Sequence, residues 1–327
     1  MRKIGLVVNP AAGKDIRRLV AWGSVFGNRE KINILVRILK GFLGVTQGEF
    51  SFMYMPDPYD LVGVMCREVA FPKRIFFERA PTPSFGDALD TLLFTEWATE
   101  EAKVEALLVL GGDGTNRVVA KKSGDVPLFS ISSGTNNVFA NTFEPTLAGM
   151  ALGFFLEGRV SQREVVERRK LLRCFSEERE DVALIDVVVV RKEILGTKAL
   201  WEPECVEFVA VTQSHPLTIG LSAIVGRMVS IAPTERRGAF VRLGPRGKPL
   251  SFPLAPGLVE RVGVEEFGIF SVGEEIPLPQ GAGAIALDGE REILTHSGEC
   301  WWVRLEEKGP MKANIAKILE LAQERSA

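Results

Sequence analysis

Ala106-Leu107-Leu108-Val109-Leu110-Gly111-Gly112-Asp113-Gly114-Thr115-Asn116-Arg117-Val118-Val119-Ala120 is the stretch that decides the fold of this 327-residue chain. The run Ala106–Leu110 is apolar without alternation, as a parallel strand covered on both faces requires. Glycines at its carboxyl end let the backbone turn sharply and bring N–H groups close to a ligand. Asn116–Ala120 reads as the start of a helix. A strand, a Gly-rich turn and a helix N-terminus in this order form a place where phosphate can sit. Asp113 adds a carboxylate among those amides, which fits a metal ion or a reacting hydroxyl at the same spot. The pattern points to phosphoryl transfer, with a plain strand-to-helix turn as the alternative.

A second loop of the same kind follows. Pro127–Ile131 is another short buried-strand pattern and runs into Ser132-Ser133-Gly134-Thr135-Asn136-Asn137-Val138-Phe139-Ala140. Ligands of open α/β sheets bind at the carboxyl ends of strands, where both loops fall.

Gly111-Gly112-Asp113-Gly114-Thr115 followed by Gly134-Thr135-Asn136-Asn137 is similar to the ATP-binding signature of the NAD kinase/diacylglycerol kinase superfamily. Asn9-Pro10-Ala11-Ala12-Gly13 resembles the opening Asn-Pro-x-x-Gly loop of that superfamily, and Leu287-Asp288-Gly289-Glu290 its late Asp-Gly-Glu element. Ala183–Val187, Ala199–Trp201 and Ile219–Ile224 look like the branch associated with acetoin catabolism (the AcoX type). The resemblance spans Asn9 to about Glu306. It implies an ATP-binding α/β domain, a β-rich substrate domain, ATP and Mg²⁺ as ligands, and a kinase whose acceptor the motifs leave open.

Composition sets the outer bounds. With 46% hydrophobic residues, 25% charged residues and a net charge of -2, this reads as an ordinary globular protein, and no excess of positive charge points to nucleic acid or an anionic membrane. Cys66, Cys174, Cys205 and Cys300 lack the close spacing of zinc sites and suit free thiols in a reducing cytoplasm. His215 and His296 show no metal-ligand pattern. No apolar stretch reaches the ~20 residues of a membrane helix, and the expected location is cytoplasmic. Arg236-Arg237 and Arg242 through Lys248 are basic clusters open to an anion or to solvent. A homo-oligomer is expected.

Strand patterns at Lys3–Val8, Phe50–Tyr54, Arg74–Phe77, Ala106–Leu110 and Leu128–Ile131 alternate with helical ones at Arg29–Phe42, Asp60–Glu68, Asp87–Lys103 and Thr115–Lys122. This alternation predicts a doubly wound, Rossmann-like α/β domain over residues 1–158. After a helix near Pro145–Glu157, strands are expected at Glu164–Phe175, Val182–Val190, Val206–Thr212, Ser222–Ile231, Ala239–Leu243, Val259–Val264, Ala282–Leu287 and Cys300–Leu305. They predict an all-β domain over 159–308, a sandwich or a partly open barrel. Met311, Ile315, Ile318, Leu319 and Ala322 share a helical face behind Pro310, predicting a C-terminal helix within 309–327 that the resemblance returns to the α/β domain. Neither a Walker A loop nor a dinucleotide fingerprint is present: Lys14 is followed by Asp15, and no Gly-x-Gly-x-x-Gly follows the first strand.

The expected nucleotide-binding residues are Asn9, Gly111, Gly112, Gly114, Thr115, Gly134, Thr135, Asn136 and Asn137. One of the two asparagines could instead serve a left-handed turn. Asp113 is the candidate general base and Mg²⁺ ligand, with Glu290 as the alternative catalytic carboxylate. Asp186 lies in a strongly apolar strand pattern, where period two places it with Leu184, Val188 and Val190; it is a candidate substrate contact, unless the strand is a wetted edge. Asp288 is a second candidate, although Asp288-Gly289 is also good hairpin-turn material. The function so implied is ATP-dependent phosphorylation of a hydroxyl on a small soluble substrate, with NAD(H) first. A diacylglycerol-type lipid kinase and a catalytically silent nucleotide-binding regulator are the alternatives.

Overall fold

The computed structural model describes residues 1–13, 22, 27–132, 137–191, 203–281 and 283–325. Its first sheet is built from the apolar runs read above. Strands β1 (Arg2–Val8), β2 (Phe50–Tyr54), β3 (Ile75–Arg79), β4 (Ala106–Gly111) and β5 (Leu128–Ser132) pair in parallel in the order β3-β2-β1-β4-β5. Because strand side chains alternate between faces, Ile4, Leu6, Val8, Leu108 and Leu110 pack on one side and Val7, Leu107 and Val109 on the other. Helices α1 (Asn28–Val45) and α2 (Leu61–Glu68) cover the first face, and α3 (Ala88–Glu100) and α4 (Asp113–Ala120) the second. That is a doubly wound arrangement.

The sheet does not end with β5. Strand β6 (Val166–Arg168) and strand β17 (Met311–Ala313) extend it to seven strands, with β17 parallel to β5 and antiparallel to β6. Strand membership therefore carries the first sheet past the expected border at residue 158. Met311 lies in this strand and not in a helix. The final helix, α8 (Ile315–Glu324), begins only after Asn314, whose side chain accepts the N–H of Lys317 as an N-cap. Ile315, Ile318 and Ala322 of α8 are buried with α1 and with α5 (Pro145–Leu156).

The β-rich region is two antiparallel sheets face to face. Strands β9 (Asp186–Val190), β10 (Val206–Val211), β11 (Arg237–Ala255), β12 (Leu258–Ser271), β14 (Gly283–Leu287) and β15 (Glu290–Thr295) form a six-stranded sheet. Strands β7 (Leu171–Phe175), β8 (Glu180–Ala183), β13 (Glu275–Pro277) and β16 (Trp302–Glu306) form a four-stranded one. Leu172, Cys174, Val303 and Leu305 from the smaller sheet meet Val187, Val189, Phe208 and Ile285 from the larger, so the architecture is a sandwich.

Three sequence expectations are corrected here. The Val182–Val190 run is not one strand, because the chain changes sheets at Leu184-Ile185. Leu184 consequently packs in a different cluster from Val188 and Val190. Glu164–Phe175 likewise splits into a turn of helix α6 (Gln162–Val165) and strands β6 and β7 of different sheets. Ser222–Gly226 is a short helix, α7, not the start of a strand. It lays Ala223, Ile224 and Val225 on the outer face of the six-stranded sheet, and apolar runs this short do not separate helix from strand.

Candidate active site

The carboxyl ends of β1 and β4 are tied to one another. Asn9 Nδ2 donates to Thr115 Oγ1 at 2.8 Å, and Asn9 Oδ1 accepts the Ala11 N–H at 2.8 Å. Gly111 is obligatory where Thr115 folds back, because a Cβ there would lie 2.7 Å from Thr115 Cβ. A Cβ at Gly112 would lie 3.0 Å from Asn137 Oδ1. Helix α4 starts at Asp113, aiming its N-terminal amides and positive dipole end at this point. Asn137 does not adopt a left-handed turn. Its Oδ1 accepts the Asp113 N–H at 3.2 Å and its Nδ2 donates to Ser132 Oγ at 2.7 Å, fastening the second loop to the first. Gly134, Thr135 and Asn136 lie outside the described residues, as do Ala199–Trp201.

Asp113 is buried, and its carboxylate closes this second loop. Oδ2 accepts Val138 N–H at 2.7 Å, and Oδ1 accepts Phe139 and Ala140 N–H, each at 3.0 Å. Burial pushes its pKa up, against the pull of those amides and of the Lys312 ammonium. With about four acceptor positions on a carboxylate, the partners among the described residues leave one position, on Oδ2.

Asp288 repeats the arrangement from the β-rich region. It occupies the β14–β15 hairpin turn with φ +52°, followed by Gly289 at +79°, a primed turn. Its carboxylate accepts the N–H groups of Leu184 (2.9 Å), Ile185 (2.7 Å) and Asp186 (3.2 Å), which is why the chain breaks between β8 and β9. Turn and site, open alternatives in the sequence, coincide at this residue. Burial raises its pKa to about 8, with Arg117 opposing and Asp186 and Asp113 reinforcing the shift.

Asp113, Asp186 and Asp288 line one cleft between the two regions. Ile185, Gly220, Leu221, Ser222 and Leu254 are among the residues of its wall. Asp186 is buried at the start of β9, so it does not lie on a wetted edge. Glu290 comes to the same neighbourhood from the other end of the hairpin turn: a Cβ on Gly114 would sit 3.1 Å from Glu290 Oε1. Every carboxylate singled out in the sequence thus gathers around the helix that follows the glycines. No group of three metal-binding side chains forms a cage among the described residues.

Two basic residues were missed. Arg117, in α4 and 2% exposed, has Nη1 3.5 Å from Asp181 Oδ2 and Nε 3.8 Å from Asp288 Oδ2, joining the α/β domain to the β-rich region. Its helical neighbours three and four residues away are Asp113, Gly114, Ala120 and Lys121, so no apolar face marks it in the sequence. Lys312 is buried behind the Asp113 loop and nothing in its sequence context marks it. In the basic clusters on and just before β11, Arg236 pairs with Glu307 at 2.7 Å and Arg242 with Glu266 at 3.0 Å.

Comparison with known proteins agrees with this two-domain architecture. Residues 4–160 match the ATP-NAD kinase N-terminal domain, and residues 170–308 match the acetoin catabolism protein X C-terminal domain. Acetoin catabolism protein X of Cupriavidus necator is 31% identical over 306 residues, which cover 89% of this chain and 84% of that protein. An uncharacterized protein of Archaeoglobus fulgidus is 28% identical over 209 residues, covering 62% of this chain and 58% of that one. The chain therefore belongs to the acetoin catabolism protein X family, with an ATP-NAD kinase-type N-terminal domain.

Proposed function

We propose that the protein transfers the γ-phosphoryl group of ATP to a hydroxyl of a small molecule held in the cleft. The observation that carries this reading is the meeting of two unlike chemistries around α4. Its N-terminus and the glycines at 111, 112 and 114 suit phosphate, while Asp113, Asp186 and Asp288 line the cleft beside it. Phosphoryl transfer asks chiefly for positioning and charge neutralisation, and the arrangement supplies both. Asn9, Gly111, Gly112, Gly114, Thr115 and Asn137, with Gly134, Thr135 and Asn136, form the nucleotide side; Asp186 and Asp288 meet the acceptor.

In this reading the remaining position on Asp113 Oδ2 receives the acceptor's proton as its oxygen bonds to the γ-phosphorus and the bond to the ADP oxygen breaks. A carboxyl raised by burial is a better base near neutrality than an ordinary aspartate. The oxygen donors of Asp113 and Glu290 suit a hard cation. Mg²⁺ would be held largely by the ATP phosphates, with one of these carboxylates as protein ligand, and when bound it neutralises phosphate charge. One free position on Asp113 cannot serve proton and metal together, so Glu290 is the better metal contact.

The test is ATP consumption with Mg²⁺ across a panel of acceptors: NAD, NADH, nucleosides, polyols and diacylglycerol vesicles. The name of the Cupriavidus relative adds acetoin, itself a hydroxyketone, to the panel. Acceptor-dependent ADP release with a phosphorylated product is the expected result. Transfer to diacylglycerol alone would make this a lipid kinase, and nucleotide binding without turnover on any acceptor would make it a regulator.

A further inference from the structure

Lys312 comes from the last strand of the seven-stranded sheet, where it pairs with Leu128 and Glu167. It is 5% exposed. A buried ammonium is strongly unfavourable unless hydrogen-bonded, so its partners identify what it does. Nζ donates to the Phe139 carbonyl and, at 2.7 Å, to Asn141 Oδ1, and it lies 4.7 Å from the centroid of the Phe139 ring. The charged groups around it are Asp113, Glu167 and Arg169.

The Phe139 carbonyl and the Ala140 N–H belong to one peptide unit. The carbonyl oxygen accepts from Lys312, while the N–H donates to Asp113 Oδ1 at 3.0 Å. A single peptide plane thus stands between an ammonium and a carboxylate, each polarising it in the same sense. Hydrogen bonds linked in this way strengthen one another in a low-dielectric interior. The Val138 N–H, which holds Asp113 Oδ2 at 2.7 Å, belongs instead to the Asn137–Val138 unit.

We propose that Lys312 is a positioning residue: acting through the Phe139–Ala140 peptide, it locks the loop that orients the Asp113 carboxylate toward the acceptor. This role rests on the kinase reading, because it assigns Lys312 to the rate of that reaction. It also makes the C-terminal strand part of the active-site framework.

The experiment compares wild type, Lys312→Met and Lys312→Arg in two measurements. The first is the amide ¹H and ¹⁵N shifts of Val138, Phe139 and Ala140 in deuterated protein. The second is kcat per folded molecule, well below the melting temperature, with thermal protection by Mg²⁺ and ATP followed alongside. Lys312→Met should move the Ala140 amide upfield more than Val138. It should lower kcat by roughly 10–100-fold, the scale of a small misplacement of a reacting group, with ATP protection retained. Lys312→Arg, which keeps the charge and donors, should recover most of both. Equal movement of all three amides with unchanged kcat would make Lys312 merely structural and overturn the proposal; so would an unmoved Ala140 amide. Absence of any phosphoryl transfer in wild type would sink the kinase reading instead, and the amide shifts would still report whether Lys312 governs the loop.

Discussion

Gly114, in the first turn of α4, faces Glu290, in the first position of β15, so closely that a methyl group on the glycine would stand 3.1 Å from the Glu290 carboxylate. The N-terminus of α4 and the β14–β15 hairpin, which the proposed reading assigns to phosphate and to the acceptor, therefore meet at one point. Gly114→Ala should separate stability from function there. Alanine in a helix is favoured over glycine by ~1 kcal/mol, so the melting temperature should hold or rise. Displacement of Glu290 should nevertheless lower turnover, expected at about tenfold on the scale of small misplacements in an active site. Steady-state kinetics beside a thermal melt measures both.

Arg117 is a buried electrostatic link between the two regions, beside the more exposed Lys121–Asp181 pair at 2.6 Å. At neutral pH Asp288, raised to about 8, holds its proton and Asp181 keeps Lys121 Nζ at 2.6 Å, so losing Arg117 removes chiefly its buried polar and packing contacts, at a cost of about 1–3 kcal/mol. Arg117→Ala should therefore lower the denaturation midpoint sharply, and chemical unfolding at neutral pH measures the loss. A change within experimental error would show that Arg117 is dispensable to the join between the two regions.

Asp288 gives stability a pH dependence of defined sign. Its folded pKa is raised from an ordinary 3.8 to about 8, so between those values the folded state holds a proton that the unfolded chain has released. Its contribution is fully present below about pH 4 and is lost as pH rises toward 8. The slope for one proton is at most ~1.4 kcal/mol per pH unit. Lys312, lowered to about 7, contributes the opposite slope above that pH. Asp288→Asn should flatten the decline between pH 5 and 8 in denaturant titrations, and an unchanged slope would assign the effect elsewhere.

The C-terminal segment is part of the core. Deleting residues from Pro310 onward removes the strand between β5 and β6 and the buried Ile315 and Ile318 of α8. Each such side chain is worth ~1.5–3 kcal/mol, so the truncated chain should not melt cooperatively as the full chain does.

Much of this was legible in sequence because the informative signals were local. Buried parallel strands read as unbroken apolar runs, and the glycines of 111–115 mark a turn that sterics require. Strand-to-sheet assignment was not local. The break at Leu184-Ile185 is imposed by Asp288, about a hundred residues later in the chain and invisible to a period-two count. Met311 fell at helical spacing with α8, yet pairing with β5 and β6 drew it into a strand, tertiary context overriding pattern. Asp186 stood out as a charge in an apolar strand and Asp288 through its Asp-Gly-Glu element, whereas Lys312 acts through a loop distant in sequence and carried no such mark.

The nucleotide side can be tested without an acceptor. ATP with Mg²⁺ should raise the melting temperature, the stabilisation reaching ~2.7 kcal/mol at a hundredfold excess over the dissociation constant. At position 112 even a Cβ would stand 3.0 Å from Asn137 Oδ1, and valine adds two methyl groups beyond it. Gly112→Val should therefore abolish that protection. Undiminished protection would place the nucleotide elsewhere.

The most direct test of the kinase reading is acceptor-dependent turnover of Asp113→Asn against wild type. Asparagine keeps the size of the side chain but removes its basicity and one of the two oxygens that accept the Val138, Phe139 and Ala140 N–H groups; a positioned general base is worth about 10²–10⁴ in rate. A fall in kcat of that size, with ATP protection retained, is the predicted result. Glu290→Gln should act mainly on the Mg²⁺ requirement. If Asp113→Asn turns over like wild type while Glu290→Gln does not, the proton goes to Glu290 and the assignment of Asp113 as base is contradicted.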